Sequence, residues 1–309
     1  MKRDLISIRD FTRGEIEALF SLATDLKSRL KRGKPPPRLS GKTLALIFEK
    51  PSLRTRVTFE VAMTQLGGHA IYLAPEDIRL GARETVEDGA RNLSRWVDGI
   101  VARTFDHAMV EQLARYATVP VINGLTDLLH PCQVLCDLFT LQEKRKKLKG
   151  LKVAFIGDGN NVCNSWLHGA AKMGIHLTVA CPKGYEPHRE AFSKARADSE
   201  ATYAVLEISH DAARAAEDAD VLYTDVWTSM GHEEQRTKRM RDFQSFQVNR
   251  RLVELAQKDV LVMHCLPAHR GEEITDEVMD GPHSIILDQA ENRLHLQKAI
   301  LVKLLGDKS

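Results

Sequence analysis

The sequence is poor in the features that would assign it to a secreted scaffold, a membrane or a nucleic acid. Its five cysteines, among 309 residues, are an odd number without a C-x-x-C pair, which argues against both a disulfide framework and a structural zinc site. Reduced thiols and a cytoplasmic location are expected. No apolar run approaches the ~20 residues that span a bilayer, and the opening Met1-Lys2-Arg3-Asp4-Leu5-Ile6-Ser7 lacks a signal-peptide core. Lysine and arginine number 44 against 42 aspartate and glutamate, a formal net charge of +2, so no global field recruits nucleic acid or an anionic membrane. Any anion recognition has to be local. Low complexity is confined to Pro35-Pro36-Pro37, and no repeat of solenoid period is present.

What remains is ordinary globular material, 43% hydrophobic and 28% charged, enough for two medium domains. A capping box, Thr12 with Glu15, opens a first helix that ends near Gly33. Short apolar runs and helical patterns then alternate. Strands are predicted at residues 43–48, 69–73, 99–103 and 119–122, with helices from about Leu53, over 85–97 and over 107–117. A long helix over 131–147 leads to a second series, with strands at 152–156, 175–180, 202–206, 221–224 and 260–264, a helix over 161–173 and a last helix from about Ala290. The predicted fold class is α/β: two doubly wound parallel-sheet domains bridged by long helices. The expected division is residues 1–133, with residues 289–309 packing back on them, and residues 134–288.

Polar residues cluster directly after the predicted strands, where open parallel sheets bind ligands. Ser52, Leu53, Arg54, Thr55 and Arg56 stand at a strand-to-helix junction, where helix N–H groups and guanidinium groups suit phosphate oxygens. Taken alone, that string fits an N-capped surface helix better than an anion cradle. Arg103 closes a buried strand and needs an anion or a carboxylate partner. In His130-Pro131-Cys132-Gln133, proline fits the first helical turn and leaves His130 at the helix mouth, able to donate to a developing oxyanion. Gly157-Asp158-Gly159-Asn160-Asn161-Val162 follows a strand but lacks the third glycine and the later acid of a dinucleotide site, so Asn161 reads as a contact for a small polar ligand. Asp225 precedes Ser229 by four residues, a pairing suited to the ammonium and carboxylate of one amino acid. His264-Cys265-Leu266-Pro267 follows another strand, and Arg293 starts the last helix. Each of these has a plain structural explanation by itself.

In combination they resemble the carbamoyltransferase family over essentially the whole chain. Residues 48–56 are similar to its S-T-R-T-R phosphate motif, 130–133 to H-P-x-Q, 225–231 to D-x-x-x-S-M-G and 264–267 to H-C-L-P. The last two favour ornithine over aspartate as the acceptor. The resemblance implies that Ser52, Leu53, Arg54, Thr55 and Arg103 hold the phosphate of carbamoyl phosphate, and that Thr55, Arg103 and His130 face its carbonyl oxygen. Gln133, Cys265, Leu266 and Arg293 would hold the carbamoyl amide, and Asn161, Asp225, Ser229 and Met230 would hold L-ornithine. Cys265 and Asp225 would manage the proton of the δ-amine. It implies no metal or organic cofactor, only these small-molecule substrates as partners, and a homotrimer or a multiple of trimers. Two positions depart from the pattern: Leu53 replaces a threonine, and Arg79 stands where glutamine is expected. Competing readings are a carbamoyltransferase for putrescine or N-acylornithine, a nucleotide-dependent oxidoreductase using the Gly157 loop, and a phosphate-binding subunit without activity.

Overall fold

The computed structural model of the chain describes residues 2–33, 36–78, 80–228 and 233–306. It divides into two compact units, residues 1–139 with 291–309, and residues 140–290.

The first unit contains α1 (Arg13–Lys31), β1 (Thr43–Phe48), α2 (Leu53–Gln65), β2 (His69–Leu73), the one-turn α3 (Pro75–Ile78), α4 (Val86–Leu93), β3 (Gly99–Arg103), α5 (His107–Tyr116), β4 (Val121–Leu125) and the start of α6 (Pro131–Arg145). The Thr12–Glu15 capping box is formed, and α1 buries Ile16, Leu19, Phe20, Ala23 and Leu26 at the predicted spacing. The four strands are parallel in the order β2-β1-β3-β4. Central β1 and β3 are apolar on both faces because helices cover both, whereas edge strand β2 is only half-buried.

The second unit contains the end of α6, then β5 (Lys152–Ile156), α7 (Asn161–Met173), β6 (His176–Ala180), α8 (Arg189–Ser199), β7 (Leu206–Ser209), α9 (Ala212–Ala216), β8 (Val221–Thr224), α10 (Arg236–Asp242), α11 (Arg250–Leu255), β9 (Leu261–His264), α12 (Asp276–Met279) and the first turn of α13 (Ile286–Leu305). Its five strands are parallel in the order β7-β6-β5-β8-β9. Under the sheet, Phe155 stacks on Tyr223 at 5.2 Å between ring centroids, and Trp166 meets Tyr223 edge-on at 5.2 Å. The strand expected at 202–206 lies further on: residues 201–203 form a turn, with Tyr203 at φ +61, and pairing with β6 begins only at Leu206. The apolar content of 202–206 was therefore a poor guide at a sheet edge, where burial no longer selects the register. Helix α13 starts four residues before the predicted point.

In both sheets the strand order reverses once, between β1 and β3 and between β5 and β8. Loops leaving the C-terminal ends of neighbouring strands diverge there and open a crevice for ligands. Among the described residues no helix is long and apolar enough to cross a membrane.

Candidate active site

In the first unit the polar residues gather at that crevice. Ser52 caps α2, its Oγ accepting the Thr55 N–H at 3.2 Å. Cap and cradle are one geometry, because first-turn N–H groups have no intrahelical acceptor and the helix dipole is positive there. Leu53 is the first helical residue; its side chain is 74% exposed, so the turn receives only its backbone. Thr55 is buried, and Gly124 of β4 lies behind it, where a Cβ would stand 3.0 Å from Val101 Cγ1 and 3.6 Å from Thr55 Cγ2. Arg103, also buried, ends β3 at a register shift against β4, an irregularity of the kind that re-aims a side chain.

His130 precedes α6, with Pro131 in the first turn. Burial, and then the charges of Arg293, Arg103 and Arg54, hold its pKa well below the usual histidine range. The imidazole is therefore neutral, with one N–H to donate and one nitrogen to accept. Arg293 donates through Nη1 to Gln133 Oε1, and through Nη2 to Thr55 Oγ1 at 3.1 Å. Gln133 in turn donates through Nε2 to Asp137 Oδ1 at 2.8 Å, one helical turn on. This chain of bonds fixes the amide of Gln133, expected to hold the carbamoyl amide, with its carbonyl toward Arg293. The neighbouring Cys132 is inert, since burial pushes its thiol up to about 12. Behind the cradle, buried Lys50 pairs with Asp127 and lies 4.1 Å from the Phe105 ring centroid, while Glu49 accepts the Phe105 N–H at 2.9 Å. The loops after β1, β3 and β4 are thereby tied to one another.

In the second unit the central group is Asp225, buried at the end of β8. Its Oδ2 accepts from Asn160 Nδ2 at 2.7 Å, and its Oδ1 accepts from the Val226 N–H at 2.8 Å and the Cys265 thiol at 3.0 Å. Asn160 serves twice, because its Oδ1 also caps α7 by accepting from the Val162 and Cys163 N–H groups at 3.0 and 3.1 Å. Asn161, the expected contact, is the first helical residue and half-buried. The glycines before it have structural explanations: Gly157 sits at φ +145, and a Cβ on Gly159 would come within 2.3 Å of Pro187 N. After β9, His264 Nδ1 accepts the Leu266 N–H at 2.9 Å, which leaves the ring proton on Nε2 to be donated to Glu273 Oε1 at 3.0 Å. Both of these side chains are fully buried. This pair holds Leu266 at φ +58, a left-handed conformation uncommon for a branched residue, and so shapes the loop that carries half-buried Cys265. Asp225, His264 and Cys265 bring possible metal-ligand atoms within 4.8 Å of one another, but both ring nitrogens of His264 are already engaged by the loop.

The expected residues thus divide by unit. Ser52, Leu53, Arg54, Thr55, Arg103, His130, Gln133 and Arg293 belong to the first, and Asn161, Asp225, Cys265 and Leu266 to the second. Ser229, Met230 and Arg79 lie outside the described residues. Sequence reasoning missed Lys50, Asp137, Asn160 and Glu273. The preference of asparagine for helix N-caps would have found Asn160, and the four-residue spacing from Gln133 pointed to Asp137; Glu273 has no local signal.

Two family models match the chain: the carbamoyl-P binding domain of aspartate/ornithine carbamoyltransferase over residues 3–143, and the Asp/Orn binding domain over residues 149–304. A Methanosarcina mazei protein named ornithine carbamoyltransferase is 55% identical over 305 residues, covering 99% of this chain and 100% of its own length. The solved ornithine carbamoyltransferase of Pyrococcus furiosus superposes with a TM-score of 0.97 at 52% identity, covering 100% of this chain and 98% of that one. The anabolic enzyme of Campylobacter jejuni gives a TM-score of 0.92 at 41% identity, with 98% of each chain covered.

Proposed function

Because the chain belongs to the aspartate/ornithine carbamoyltransferase family, we propose that it transfers the carbamoyl group of carbamoyl phosphate to the δ-amine of L-ornithine, giving L-citrulline and phosphate. The observation that carries this reading is the set of three guanidinium groups, from Arg54, Arg103 and Arg293, whose charges act on one buried, neutral histidine. Two of those arginines and the α2 N-terminus suit a phosphate. The neutral His130 and Thr55 suit the carbonyl oxygen beside it, whose negative charge grows as the tetrahedral centre forms.

Asp225 then receives the α-ammonium of ornithine. Three donors already hold its carboxylate in place, so binding does not have to order it. Attack requires the neutral δ-amine, which at pH 7 is only about a thousandth of the total for an ordinary primary amine. Desolvation favours that form. The new N–C bond forms with the tetrahedral centre, whose collapse breaks the C–O bond to phosphate, and the proton leaving nitrogen passes to the departing phosphate. The enzyme's task is orientation and charge stabilisation, a role its side chains can fill unaided. The reaction would belong to arginine metabolism, and the family likeness makes a homotrimer, or a multiple of trimers, the expected assembly.

An assay of amine-dependent phosphate release from carbamoyl phosphate, with the carbamoylated product identified, tests the reading on purified protein. Ornithine is expected to support turnover at least roughly 100-fold faster than putrescine or N-acetylornithine, because neither rival offers the charged α-amino-acid head that Asp225, oriented by neutral donors alone, is placed to meet. Faster turnover with either rival would reassign the acceptor, and no turnover with any amine would remove the activity.

A further inference from the structure

Arg239, on α10, is a buried cation that the mechanism above does not use. It is 8% exposed, its Nη1 lies 3.0 Å from Asp158 Oδ2, and the same nitrogen donates to the Trp227 carbonyl at 2.7 Å. Its guanidinium carbon sits 4.9 Å from the Tyr185 ring centroid, and Tyr185 donates its hydroxyl to Asp242 at 2.6 Å. Phe243 packs against both Tyr185 and Trp227, at 4.7 and 5.8 Å between centroids. A buried arginine–carboxylate pair seldom adds net stability over an apolar substitute. What this pair does have is position. Asp158 lies two residues before Asn160, whose amide orients Asp225, and Trp227 lies two residues after Asp225 itself. Both attachments therefore act within two residues of the carboxylate and its orienting donor, one on the loop after β5 and one on the segment after β8.

We infer that Arg239 is a positioning residue for the amino-acid substrate: by gripping Asp158 and the Trp227 carbonyl together, it sets the separation of the two chain segments that aim Asn160 and Asp225. This rests on the reading that Asp225 receives ornithine. Both contacts come from one nitrogen of a rigid guanidinium plane that lies against the Tyr185 ring, whereas an ammonium on a flexible stem has no such fixed direction.

The test compares Arg239→Gln, Arg239→Lys, Asp158→Asn and Asp225→Ala. For each variant, the KM for ornithine, kcat, the Kd for carbamoyl phosphate by calorimetry and the melting temperature are measured. Arg239→Gln and Asp158→Asn are expected to raise the ornithine KM roughly 10- to 100-fold, the size of effect produced by misplacing a binding group by about an ångström. The carbamoyl phosphate Kd should stay within about twofold, Arg239→Lys should recover part of the loss, and Arg239→Gln combined with Asp158→Asn should cost no more than the worse of the two alone. An ornithine KM unchanged in Asp158→Asn and Arg239→Lys, whatever the melting temperature, overturns the inference, and those two milder variants decide it should Arg239→Gln not fold. An unchanged ornithine KM in Asp225→Ala overturns the underlying reading of the site instead.

Discussion

The two units use one architecture for opposite electrostatic ends. Each is a parallel sheet whose strand order reverses once, and each gathers its polar groups at that reversal. The first surrounds a neutral histidine with guanidinium charge, as a doubly charged acyl phosphate would require. The second presents a single carboxylate clasped by an amide, a backbone N–H and a thiol, as an ammonium requires. Behind each ligand group stands a buried cation that ties loops together: Lys50 with Asp127 and Phe105 in the first, and Arg239 with Asp158 and Trp227 in the second. The fold thus supplies a place for a ligand, and the sign of the charge delivered there decides which ligand it is.

If this division of labour holds, variants in the two units should fail differently. The largest effect is expected in the first. Arg103→Ala removes a buried charge aimed at the phosphate and should lower citrulline formation by roughly 1,000-fold or more, with carbamoyl phosphate binding lost in calorimetry. Near-normal turnover would dismantle the anion site as drawn. In the second unit, Asp225→Ala should raise the ornithine KM by roughly 100-fold while carbamoyl phosphate binding stays measurable. Loss of carbamoyl phosphate binding in that variant would break the comparison outright.

The units also differ in how much of them could be read from sequence. Strands β1, β3, β5 and β8 are central, covered on both faces and continuous in apolar character, so composition and flanking turns located them. Edge strand β7, half-exposed, lacked that signal and was placed four residues too early. At the sites, residues that follow a strand within a few positions were legible, because the sheet dictates where loops open; Ser52, Arg103, His130 and Asp225 are of this kind. Residues that act on another side chain were not. Glu273 is visible only through His264, a contact that exists after the chain has folded, and the four-residue spacing that pairs Asp137 with Gln133 does not show that the amide is turned toward Arg293. Asn160 was missed by one residue, the usual uncertainty of a helix boundary.

A smaller effect concerns stability, and it should arise in the first unit. On α13, His295 Nε2 lies 3.2 Å from Glu291, yet burial outweighs that carboxylate and, with the charges of Lys298 and Lys27, holds the ring down to about 4. A folded-state pKa below the unfolded value means that the unfolded chain binds the proton more readily. Stability from this group is therefore present above pH ~6.5 and lost as pH falls toward 4. Lys298 behaves in the same sense at higher pH: burial lowers it to about 8, so stability rises as pH climbs from there toward the ordinary lysine value. Lys298→Met should raise stability at pH 7 by about 2 kcal/mol and flatten the gain seen between pH 8 and 10. Urea melts at several pH values measure both, and an unchanged pH profile would show that the ammonium is not desolvated.

The smallest effect is expected at the heart of the anion cradle. Leu53 stands where the family's motif is expected to carry threonine, and it projects its side chain into solvent from the first turn of α2. If the cradle works through the N–H groups of that turn and the helix dipole, Leu53→Thr changes neither, because both residues present the same amide in the same helical geometry. The carbamoyl phosphate KM should then move by less than about twofold, against orders of magnitude for Arg54→Ala or Arg103→Ala. A gain of tenfold or more would mean that a hydroxyl at this position reaches the phosphate. The cradle would then be built from side chains to a degree that its geometry here does not suggest, and the first unit would differ from the second in charge alone, since the second already holds Asp225 largely through side chains.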